Sequence, residues 1–404
     1  MRIAICGAGL LLILAACDIT VNDVKHDQDQ QPLSQAAAGA TPDPLAAHDP
    51  PVGQAATVGI ADSEERPVMQ AQVVLDRLGF TPGVVDGRDG LSTRNAVSGF
   101  QEANDLSVTG KLDEPTRQLL TRWNNIPATR VATIPADFAA GPFYALPKQP
   151  EDQVRMQTMG YESLDEKLAE RFHTTIEVLK MLNPGGMPAG ATTPAVSGSP
   201  SSVSAAPAPA KIVASSAFLQ PGPAAFFHSG QQIRVPNVGG DAVDPASVAD
   251  AGWRQSLRIL GIGSLQPQAA RVVVSKSQGT LKAYDNGGKL IAVYTATMGS
   301  QHDPLPLGQW KIMAVSKNPK FHYNPDLFWD AKPSAEEATL PSGPNNPVGV
   351  VWIDISKPHY GIHGSPRPET IGRAESHGCI RLTNWDAARL AQMVSNKTEL
   401  LFEA

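Results

Sequence analysis

Two stretches of the chain lack the apolar residues needed to build a core, and they divide its 404 residues into separate compact parts. Residues 18–66 are rich in Gln, Ala, Asp and Pro, and residues 185–225 are mostly Ala, Pro, Ser and Gly. Segments of this composition cannot bury enough apolar surface to offset the entropy lost on ordering. They predict a flexible tether over residues 17–66 and a disordered insertion at 185–225. The chain is therefore expected to be a multidomain protein.

The first sixteen residues have the features of an export signal. Arg2 supplies a positive charge, and Ile3 to Ala16 is an uncharged, apolar run. A membrane-spanning helix needs about 20 apolar residues, so this shorter run predicts a signal peptide over residues 1–16. The run ends Leu14-Ala15-Ala16-Cys17, which resembles the lipobox of bacterial lipoproteins. An ordinary signal peptide followed by a chance cysteine is the alternative.

The lipobox resemblance implies that Cys17 is acylated and holds a periplasmic protein on a membrane. Asp18 resembles the inner-membrane retention signal of enteric bacteria, which favours the inner membrane. Cys6 would be removed with the signal peptide, so Cys379 would remain as the one free thiol. A single unpaired cysteine cannot form an internal disulfide, so we expect Cys379 to do chemistry.

Residues 67–124 have the pattern of three short amphipathic helices around a small core. Apolar residues at positions 71, 74, 75 and 78 follow helical spacing, and Pro82-Gly83 ends that run. Ser92 and Asp113 are the expected N-caps of the second and third helices. The segment also resembles the peptidoglycan-binding domain 1 family. That resemblance rests on Leu78-Gly79-Phe80, Pro82-Gly83, Val85-Asp86-Gly87, Thr93, Ala96-Val97, Phe100-Gln101, Thr109-Gly110 and Thr116.

Residues 158–238 are expected to form a second small module of βααβ order. Ser163 with Glu166, and Thr174 with Glu177, each have the spacing of a capping box that opens a helix. Ala169-Glu170-Arg171-Phe172, Leu182-Asn183-Pro184 and the closing strand at 230–236 resemble a LysM domain. The resemblance implies glycan binding, and the insertion at 185–225 departs from the family. A structural spacer is the alternative.

Residues 270–404 are expected to be a β-rich domain with short helices. Runs of β-branched residues begin at Arg271, Thr280 and Leu290, and Asp285-Asn286-Gly287-Gly288 supplies a hairpin turn. Another strand is predicted at 348–355, and a last helix at 385–395. With the two helical modules, this predicts a multidomain α+β chain.

The residues expected to do chemistry occur in two short motifs of this domain, His363-Gly364 and Ser376-His377-Gly378-Cys379-Ile380-Arg381-Leu382. A neighbouring imidazole can take a proton from a thiol and lower the thiol pKa from ~8.5 to about 3.5–7.5. Amides around Gly378 and Cys379 can stabilise the oxyanion of acyl transfer.

These motifs resemble the YkuD-type L,D-transpeptidase domain, whose signature is His-Gly followed by Ser-His-Gly-Cys. Two further segments share the resemblance, Leu305-Pro306-Leu307-Gly308 and residues 340–349. The resemblance implies that Cys379 is the nucleophile, that His363 is the base and that the Gly364 carbonyl orients His363. It also implies an oxyanion hole from the amides of His377, Gly378 and Cys379.

Four further residues are expected to contact substrate. Ser376 and Arg381 flank the nucleophile, with a turn cap and a surface salt bridge as their respective alternatives. Trp329 and Tyr323 lie in a proline-rich segment, residues 318–346, that is long enough to be a lid. We expect the lid to fold over His363 and Cys379, with a local core beneath a surface loop as the alternative.

The expected activity is that of a peptidoglycan L,D-transpeptidase. The resemblance implies a Cys379 acyl-enzyme on meso-diaminopimelate of a tetrapeptide stem, release of D-Ala, and transfer to an amine. The acceptor is either another stem, giving a 3–3 cross-link, or an outer-membrane lipoprotein, and D-amino-acid exchange is a third outcome. No cofactor is expected, and the net charge of −6 gives no general basic field for nucleic acid.

Two other functions are open from the sequence. His359, His363, His377 and Cys379 are four potential zinc ligands, as in a zinc-dependent cell-wall amidase. Strand spacing would hold His359 and His363 about 13 Å apart, which disfavours shared ligation. The second alternative is a non-catalytic wall-anchoring protein in which only the helical modules matter.

Overall fold

The computed structural model describes residues 60–191, 219–239, 242–329, 331 and 334–404. The expected signal peptide, the lipidation site Cys17, residues 17–59 of the tether and residues 192–218 of the insertion lie outside the described residues. None of the helices in the described ranges is long and apolar enough to cross a membrane.

The N-terminal module, residues 67–123, contains the three expected helices. They are α1 (Pro67–Arg77), α2 (Leu91–Ala103) and α3 (Glu114–Leu120), followed by a 3-10 turn at Thr121–Trp123. Asp113 caps α3 by accepting a hydrogen bond from the Thr116 amide, as expected. The expectation for Ser92 was wrong, because α2 begins at Leu91 after Gly90 and places Ser92 inside the first turn.

The middle module, residues 129–191 and 219–238, is built on two strands and two longer helices. Its elements are β1 (Thr129–Thr133), α4 (Ala136–Ala139), α5 (Pro150–Gln153), α6 (Leu164–Arg171), α7 (Ile176–Leu182), a 3-10 turn at Pro184–Gly186 and β2 (Gln232–Pro236). β1 pairs antiparallel with β2. The module therefore begins before the expected boundary at residue 158, because the partner of the closing strand lies at 129–133.

Of the two expected helix N-caps in this module, the cap of α6 is confirmed and the cap of α7 is not. Ser163 accepts a hydrogen bond from the Glu166 amide and caps α6 as expected. The N-cap of α7 is Thr175, which accepts from the Val178 amide, so the expected cap at Thr174 was wrong by one residue. Thr174 instead donates its hydroxyl to the Val85 carbonyl of the N-terminal module, at 2.7 Å.

The described ends of the insertion and of the tether are ordered, contrary to the expectation. The Gly222 amide donates to the Phe143 carbonyl, and the Ala189 amide donates to the Leu182 carbonyl. The buried guanidinium of Arg234 holds the carbonyls of Ile60 and Ala61 at 2.7 and 3.0 Å. These backbone partners remove the freedom that composition alone suggests.

The C-terminal domain, residues 242–404, carries a nine-stranded sheet in the order β5-β4-β3-β13-β7-β10-β11-β12-β6. The strands are β3 (Arg271–Ser275), β4 (Thr280–Tyr284), β5 (Leu290–Thr295), β6 (Thr297–Met298), β7 (Gly308–Lys317), β10 (Val351–Ile355), β11 (Gly361–His363), β12 (Ile380–Arg381) and β13 (Glu399–Glu403). A separate pair, β8 (Phe321–Tyr323) and β9 (Ala338–Leu340), is joined through 3-10 turn Pro325–Leu327. The expected β-rich domain is present.

The sheet is bent so that its two edges are neighbours in sequence. β5 ends at Thr295 and β6 begins at Thr297, yet they lie at opposite ends of the strand order. The ten-residue β7 pairs with β13 through its first half and with β10 through its second half. The bend encloses a core to which α8 (Ala251–Leu260) contributes Trp253 and α9 (Asn384–Met393) contributes Trp385, both fully buried.

The N-terminal module packs directly on edge strand β5. The Thr81 amide donates to the Val293 carbonyl at 2.9 Å, and the Val293 amide donates to the Gly79 carbonyl at 3.1 Å. Gly99 of α2 allows close approach, because a Cβ there would lie 2.5 Å from the Val293 side chain. Lys282 and Glu102 add an ion pair at 2.7 Å. Residues 79–81 thus extend the sheet by one short parallel segment.

A buried polar cluster joins all three parts of the chain. Asp76 of α1 contacts Arg389 of α9, and its carboxylate lies 3.3 Å from the His173 ring that precedes α7. The His173 ring stacks on Trp385 with centroids 4.9 Å apart, and its other nitrogen bonds the Leu260 carbonyl of α8. The three modules are therefore packed as one body in the described region.

Candidate active site

Cys379 lies at the start of the short parallel pairing between β11 and β12. His363 is opposite Arg381 and Ile362 is opposite Ile380. Extending this register by one residue places Cys379 beside Gly361, whose backbone interacts with the thiol. Because side chains alternate along a strand, Cys379, Arg381 and His363 lie on the same face of the sheet. The structure thus brings the two sequence motifs together.

Cys379 is half-buried. Its Sγ atom is 3.8 Å from the carbonyl oxygen of His359, in the turn before β11. Burial raises the pKa of the thiol above its usual value, although the Gly361 backbone and the charge of Arg381 act in the opposite direction. The expectation of a lowered thiol pKa was therefore wrong. The physical reason is that loss of solvent disfavours the thiolate more than its neighbours stabilise it.

His363 is held by its own loop and is uncharged. Its side chain is buried, and Nδ1 donates to the Gly364 carbonyl at 2.7 Å, which is the contact expected from the sequence. Burial and then the charge of Arg381 lower the pKa of His363 to about 3. The Trp352 ring stacks on the imidazole with centroids 5.5 Å apart. With its proton on Nδ1, the imidazole presents Nε2 as an acceptor.

The loop before Cys379 is braced by Ser376. The Ser376 hydroxyl accepts from the Gly299 amide and donates to the Cys379 carbonyl, both at 2.7 Å. Ser376 is buried, so its expected contact with substrate was wrong. The turn-capping alternative describes its role, because both hydrogen bonds are to backbone atoms.

Gly378 has a conformation that only glycine adopts easily. Its φ is +96°, and a Cβ there would lie 2.4 Å from the Tyr360 ring. The ring of Tyr360 therefore packs directly on the backbone that carries the Cys379 amide. A side chain at position 378 would displace either that ring or the amides expected to form the oxyanion hole.

The aromatic residues of the 318–346 segment lie against His377. The Phe328 and Trp329 rings have centroids 5.0 and 5.8 Å from the His377 ring. Trp329 also stacks on His302 at 4.3 Å and keeps 59% of its surface exposed. Tyr323 stacks on Phe328 and so lies one ring further from the motif. The structure thus places Trp329, rather than Tyr323, beside the Cys379 loop.

Arg381 is partly buried beside the thiol. Burial lowers the pKa of its guanidinium, and the nearby Cys379 acts in the opposite direction. The same guanidinium lowers the pKa of both Cys379 and His363. Arg381 therefore contributes positive charge next to the thiol and the imidazole. Its expected contact with a substrate carboxylate remains a prediction.

The four potential zinc ligands do not form a metal site. Among the residues that the structure describes, no group of three or more His, Cys, Asp or Glu side chains could hold a metal ion. His359 has φ of +66° and its carbonyl oxygen, rather than its ring, contacts Cys379. The donor set proposed for the amidase alternative is therefore not assembled.

Sequence reasoning missed three residues that shape the site, namely Trp352, Tyr360 and Asn384. Trp352 stacks on His363, and Tyr360 packs on Gly378. Asn384, the first residue of α9, is fully buried and packs against Gly364. Trp352 lies in an expected strand, but nothing in the alternation of that strand shows which ring it would contact.

Comparison with known proteins agrees with this geometry. The YkuD family model, described as an L,D-transpeptidase catalytic domain, matches residues 269–401. The PG_binding_1 model, described as "Putative peptidoglycan binding domain", matches residues 64–120.

Two bacterial relatives are similar over the C-terminal domain. "Putative L,D-transpeptidase YkuD" of Bacillus licheniformis is 32% identical over 146 residues, which cover 36% of this chain and 73% of that protein. "Putative L,D-transpeptidase YqjB" of Bacillus subtilis is 30% identical over 136 residues, which cover 32% and 69%. The NMR structure of the catalytic domain from Enterococcus faecium L,D-transpeptidase is 19% identical and covers 33% of this chain and 97% of that one, with a TM-score of 0.26.

The chain belongs to the YkuD family of L,D-transpeptidases. It is an enzyme of that class, with an N-terminal peptidoglycan-binding domain formed by α1, α2 and α3. Peptidoglycan is the substrate class that these two domains imply.

Proposed function

We propose that the chain cross-links peptidoglycan by a thioester mechanism in which Cys379 is the nucleophile and His363 is the base. The observation that supports this proposal is the parallel register of β11 and β12, which pairs His363 with Arg381, two residues after Cys379. The Gly364 carbonyl fixes the Nδ1–H tautomer of His363 and leaves Nε2 free to accept the thiol proton.

The first half of the reaction forms the acyl-enzyme. Cys379 Sγ attacks the carbonyl carbon of the amide between meso-diaminopimelate and D-Ala of a tetrapeptide stem, and its proton passes to His363. Amides of His377, Gly378 and Cys379 stabilise the oxyanion, which Arg381 also attracts. The carbon–nitrogen bond then breaks, D-Ala leaves with the proton from His363, and a thioester remains.

The second half transfers the acyl group. An acceptor amine attacks the thioester carbon, its proton passes to His363, and the carbon–sulfur bond breaks with return of the proton to Cys379. The product is a new amide, and an amine on another stem gives a 3–3 cross-link. The family resemblance also implied an outer-membrane lipoprotein as acceptor, or D-amino-acid exchange.

Since the resting thiol and imidazole are both neutral, proton transfer accompanies attack. Burial raises the pKa of Cys379 and lowers the pKa of His363 to about 3, so a stable thiolate–imidazolium pair is disfavoured before substrate binds. The mechanism is general-base catalysis in a site of low polarity.

We also propose that lipidated Cys17 holds the enzyme in the periplasm, with the inner membrane favoured. The lipobox-like sequence before Cys17 supports this. The middle module has two capped helices and an antiparallel strand pair, which supports its expected likeness to a LysM domain. Glycan binding by this module is implied by that likeness alone, with a structural spacer as the alternative.

The test of the mechanism is Cys379→Ala in the full chain, assayed with purified disaccharide tetrapeptides and mass spectrometry of the products. We expect loss of D-Ala release and of cross-linked dimers, with unchanged thermal unfolding. Turnover that persists in this variant would refute Cys379 as nucleophile. Cys17→Ala, which should keep turnover and lose a fatty-acid label in cells, separates the anchor from the catalytic step.

A further inference from the structure

Two carboxylates of the middle module bind asparagines of the C-terminal domain. Glu166 and Glu170 lie one helical turn apart on α6. Glu166 accepts from the Asn345 side chain at 2.8 Å, and Glu170 accepts from the Asn384 side chain at 2.7 Å. A single helix face therefore contacts the C-terminal domain at two polar points.

The Glu170 contact is deeply buried. The exposed fraction is 7% for Glu170 and 0% for Asn384. The other carboxylate oxygen of Glu170 accepts from the Tyr161 hydroxyl. A carboxylate so far from solvent needs partners for both oxygens, and it has one from each module. The contact is thus a specific one and not a chance surface pairing.

Asn384 in turn touches the backbone that orients His363. A Cβ on Gly364 would lie 2.3 Å from Asn384 Oδ1, so the asparagine packs directly on this glycine. The same Oδ1 accepts from the Val350 amide at 3.2 Å, while Nδ2 bonds the Pro344 carbonyl at 3.0 Å. The side-chain amide is consequently fixed at both ends, and its donor end is shared with Glu170.

We propose that Glu170 of the middle module is a positioning residue for the catalytic histidine. It acts through Asn384 and the Gly364 carbonyl, which accepts the Nδ1 proton of His363 at 2.7 Å. The middle module therefore completes the active site from outside the catalytic domain. This inference rests on the proposed role of His363 and assigns the module a role in catalysis.

The chemistry of the link explains why a carboxylate is required at position 170. Once it is ionised, above a pKa of about 7, Glu170 accepts two hydrogen bonds, one on each oxygen, from Tyr161 and from Asn384. A glutamine at this place has one oxygen and one amide group, so it can accept at only one of the two positions. If its amide group faces Asn384, two donors oppose each other and the asparagine is displaced; if its oxygen faces Asn384, the Tyr161 hydroxyl loses its acceptor instead.

The decisive experiment compares Glu170→Gln with Tyr161→Phe in the full chain. Tyr161→Phe removes a buried hydrogen bond from the same carboxylate but leaves the Asn384 contact in place. We expect kcat for D-Ala release to fall between about tenfold and a hundredfold in Glu170→Gln, since small displacements of a catalytic group have effects of this size. Tyr161→Phe should stay within about twofold of wild type, because a displacement of the catalytic group is not expected there.

A second readout separates positioning from a general loss of structure. The rate of Cys379 alkylation by iodoacetamide, followed by peptide mass spectrometry, reports access of the thiol proton to His363. In Glu170→Gln the pH profile of alkylation should move to higher pH, while KM for the tetrapeptide stays near the wild-type value. Glu177→Gln, an exposed carboxylate on α7, is the control for loss of one charge.

The outcomes are distinct. Equal losses in Glu170→Gln and Tyr161→Phe, or an unchanged alkylation profile in folded Glu170→Gln, would overturn the positioning role. If Glu170→Gln does not fold, Asn384→Ala tests the same link from the C-terminal domain, and wild-type kcat in that variant would equally overturn it. Activity that survives both Cys379→Ala and His363→Gln would instead remove the proposed function on which the inference rests.

Discussion

The carboxylate of Asp76 and the guanidinium of Arg389 form a two-point ion pair, with Nη2 3.0 Å from Oδ2 and Nη1 3.3 Å from Oδ1. Asp76 belongs to the peptidoglycan-binding domain and Arg389 to the catalytic domain, and both side chains are buried. Burial alone would raise the pKa of Asp76, but the charges of Arg389 and His173 hold it well below its usual range. The pair therefore links the two domains that define the enzyme.

We expect Asp76→Asn to destabilise the folded chain by about 3–5 kcal/mol, because it leaves the Arg389 charge buried without its counter-ion. Glu102→Gln, which breaks the more exposed Lys282 pair between the same domains, should cost at most about 1 kcal/mol. Urea unfolding followed by circular dichroism measures both. Equal, small losses of unfolding free energy in the two variants would show that the buried ion pair does not stabilise the contact between the domains.

Glu170 gives the stability of the protein a defined pH dependence. Burial raises the pKa of Glu170 to about 7, so the folded chain retains a proton that the unfolded chain releases near pH 4. The stabilisation that the bound proton gives the folded state is complete below about pH 4.3. It is lost as the pH rises to about 7, which lowers the free energy of unfolding by about 3 kcal/mol. The contribution of Glu170 to the free energy of unfolding should therefore be larger at acidic than at neutral pH.

Glu170→Gln should lack this part of the pH dependence. Asp386, whose pKa burial raises to about 6, acts in the same direction but is present in both proteins. The difference between wild type and variant, measured by urea unfolding across this pH range, thus isolates Glu170. Parallel curves for the two proteins would mean that Glu170 is ionised in the folded state.

Trp329 is expected to limit hydrolysis of the acyl-enzyme. It lies beside the His377 ring at the Cys379 loop and remains largely exposed, as a lid residue would. Excluding water favours transfer to the acceptor amine. Trp329→Ala should fold normally and shift products from cross-linked dimers toward hydrolysed stems, measured by mass spectrometry. Leu265→Ala, which removes another exposed apolar side chain, should leave the ratio unchanged; an unaltered ratio in Trp329→Ala would exclude the lid role.

Gly378→Ala should abolish turnover because the new methyl group would overlap the Tyr360 ring at a backbone of positive φ. Strain of this kind costs about 1–3 kcal/mol. Gly288→Ala is a matched control, since Gly288 also has positive φ but no described atom lies within 4 Å of its Cβ position. D-Ala release and thermal unfolding should show that only Gly378→Ala loses activity. Normal turnover in this variant would contradict the close packing of the loop.

Much of the fold could be predicted from local patterns. Apolar spacing is sufficient to locate α1, although it does not show that all of residues 71–76 are buried. The turn after Tyr284 follows from its glycines. The motif around Cys379 identified the reactive residue types. Contacts between distant residues could not be predicted in this way. Asp76 and Arg389 are 313 positions apart, and each is a charged residue of the kind usually found on the exposed face of a helix.

The electrostatics of the site also escaped sequence reasoning. A His and a Cys in neighbouring motifs suggest an ion pair, but the sign of their pKa shifts depends on burial, which no short motif contains. In the same way, the hydroxyl of Ser376 can serve substrate or backbone equally well. Only the hydrogen bonds of its hydroxyl with the Gly299 amide and the Cys379 carbonyl show that it contacts backbone.

The backbone contact of Gly79 and Thr81 with Val293 has a consequence for handling the enzyme. An uncovered edge strand can recruit a strand from another molecule, which leads to aggregation. A catalytic domain produced without the residues before 242 would expose β5 along Val293, together with the apolar surface that Phe80 and Phe100 cover. Poor solubility of such a fragment would then arise from its uncapped edge, in addition to the loss of Glu170 beside Asn384.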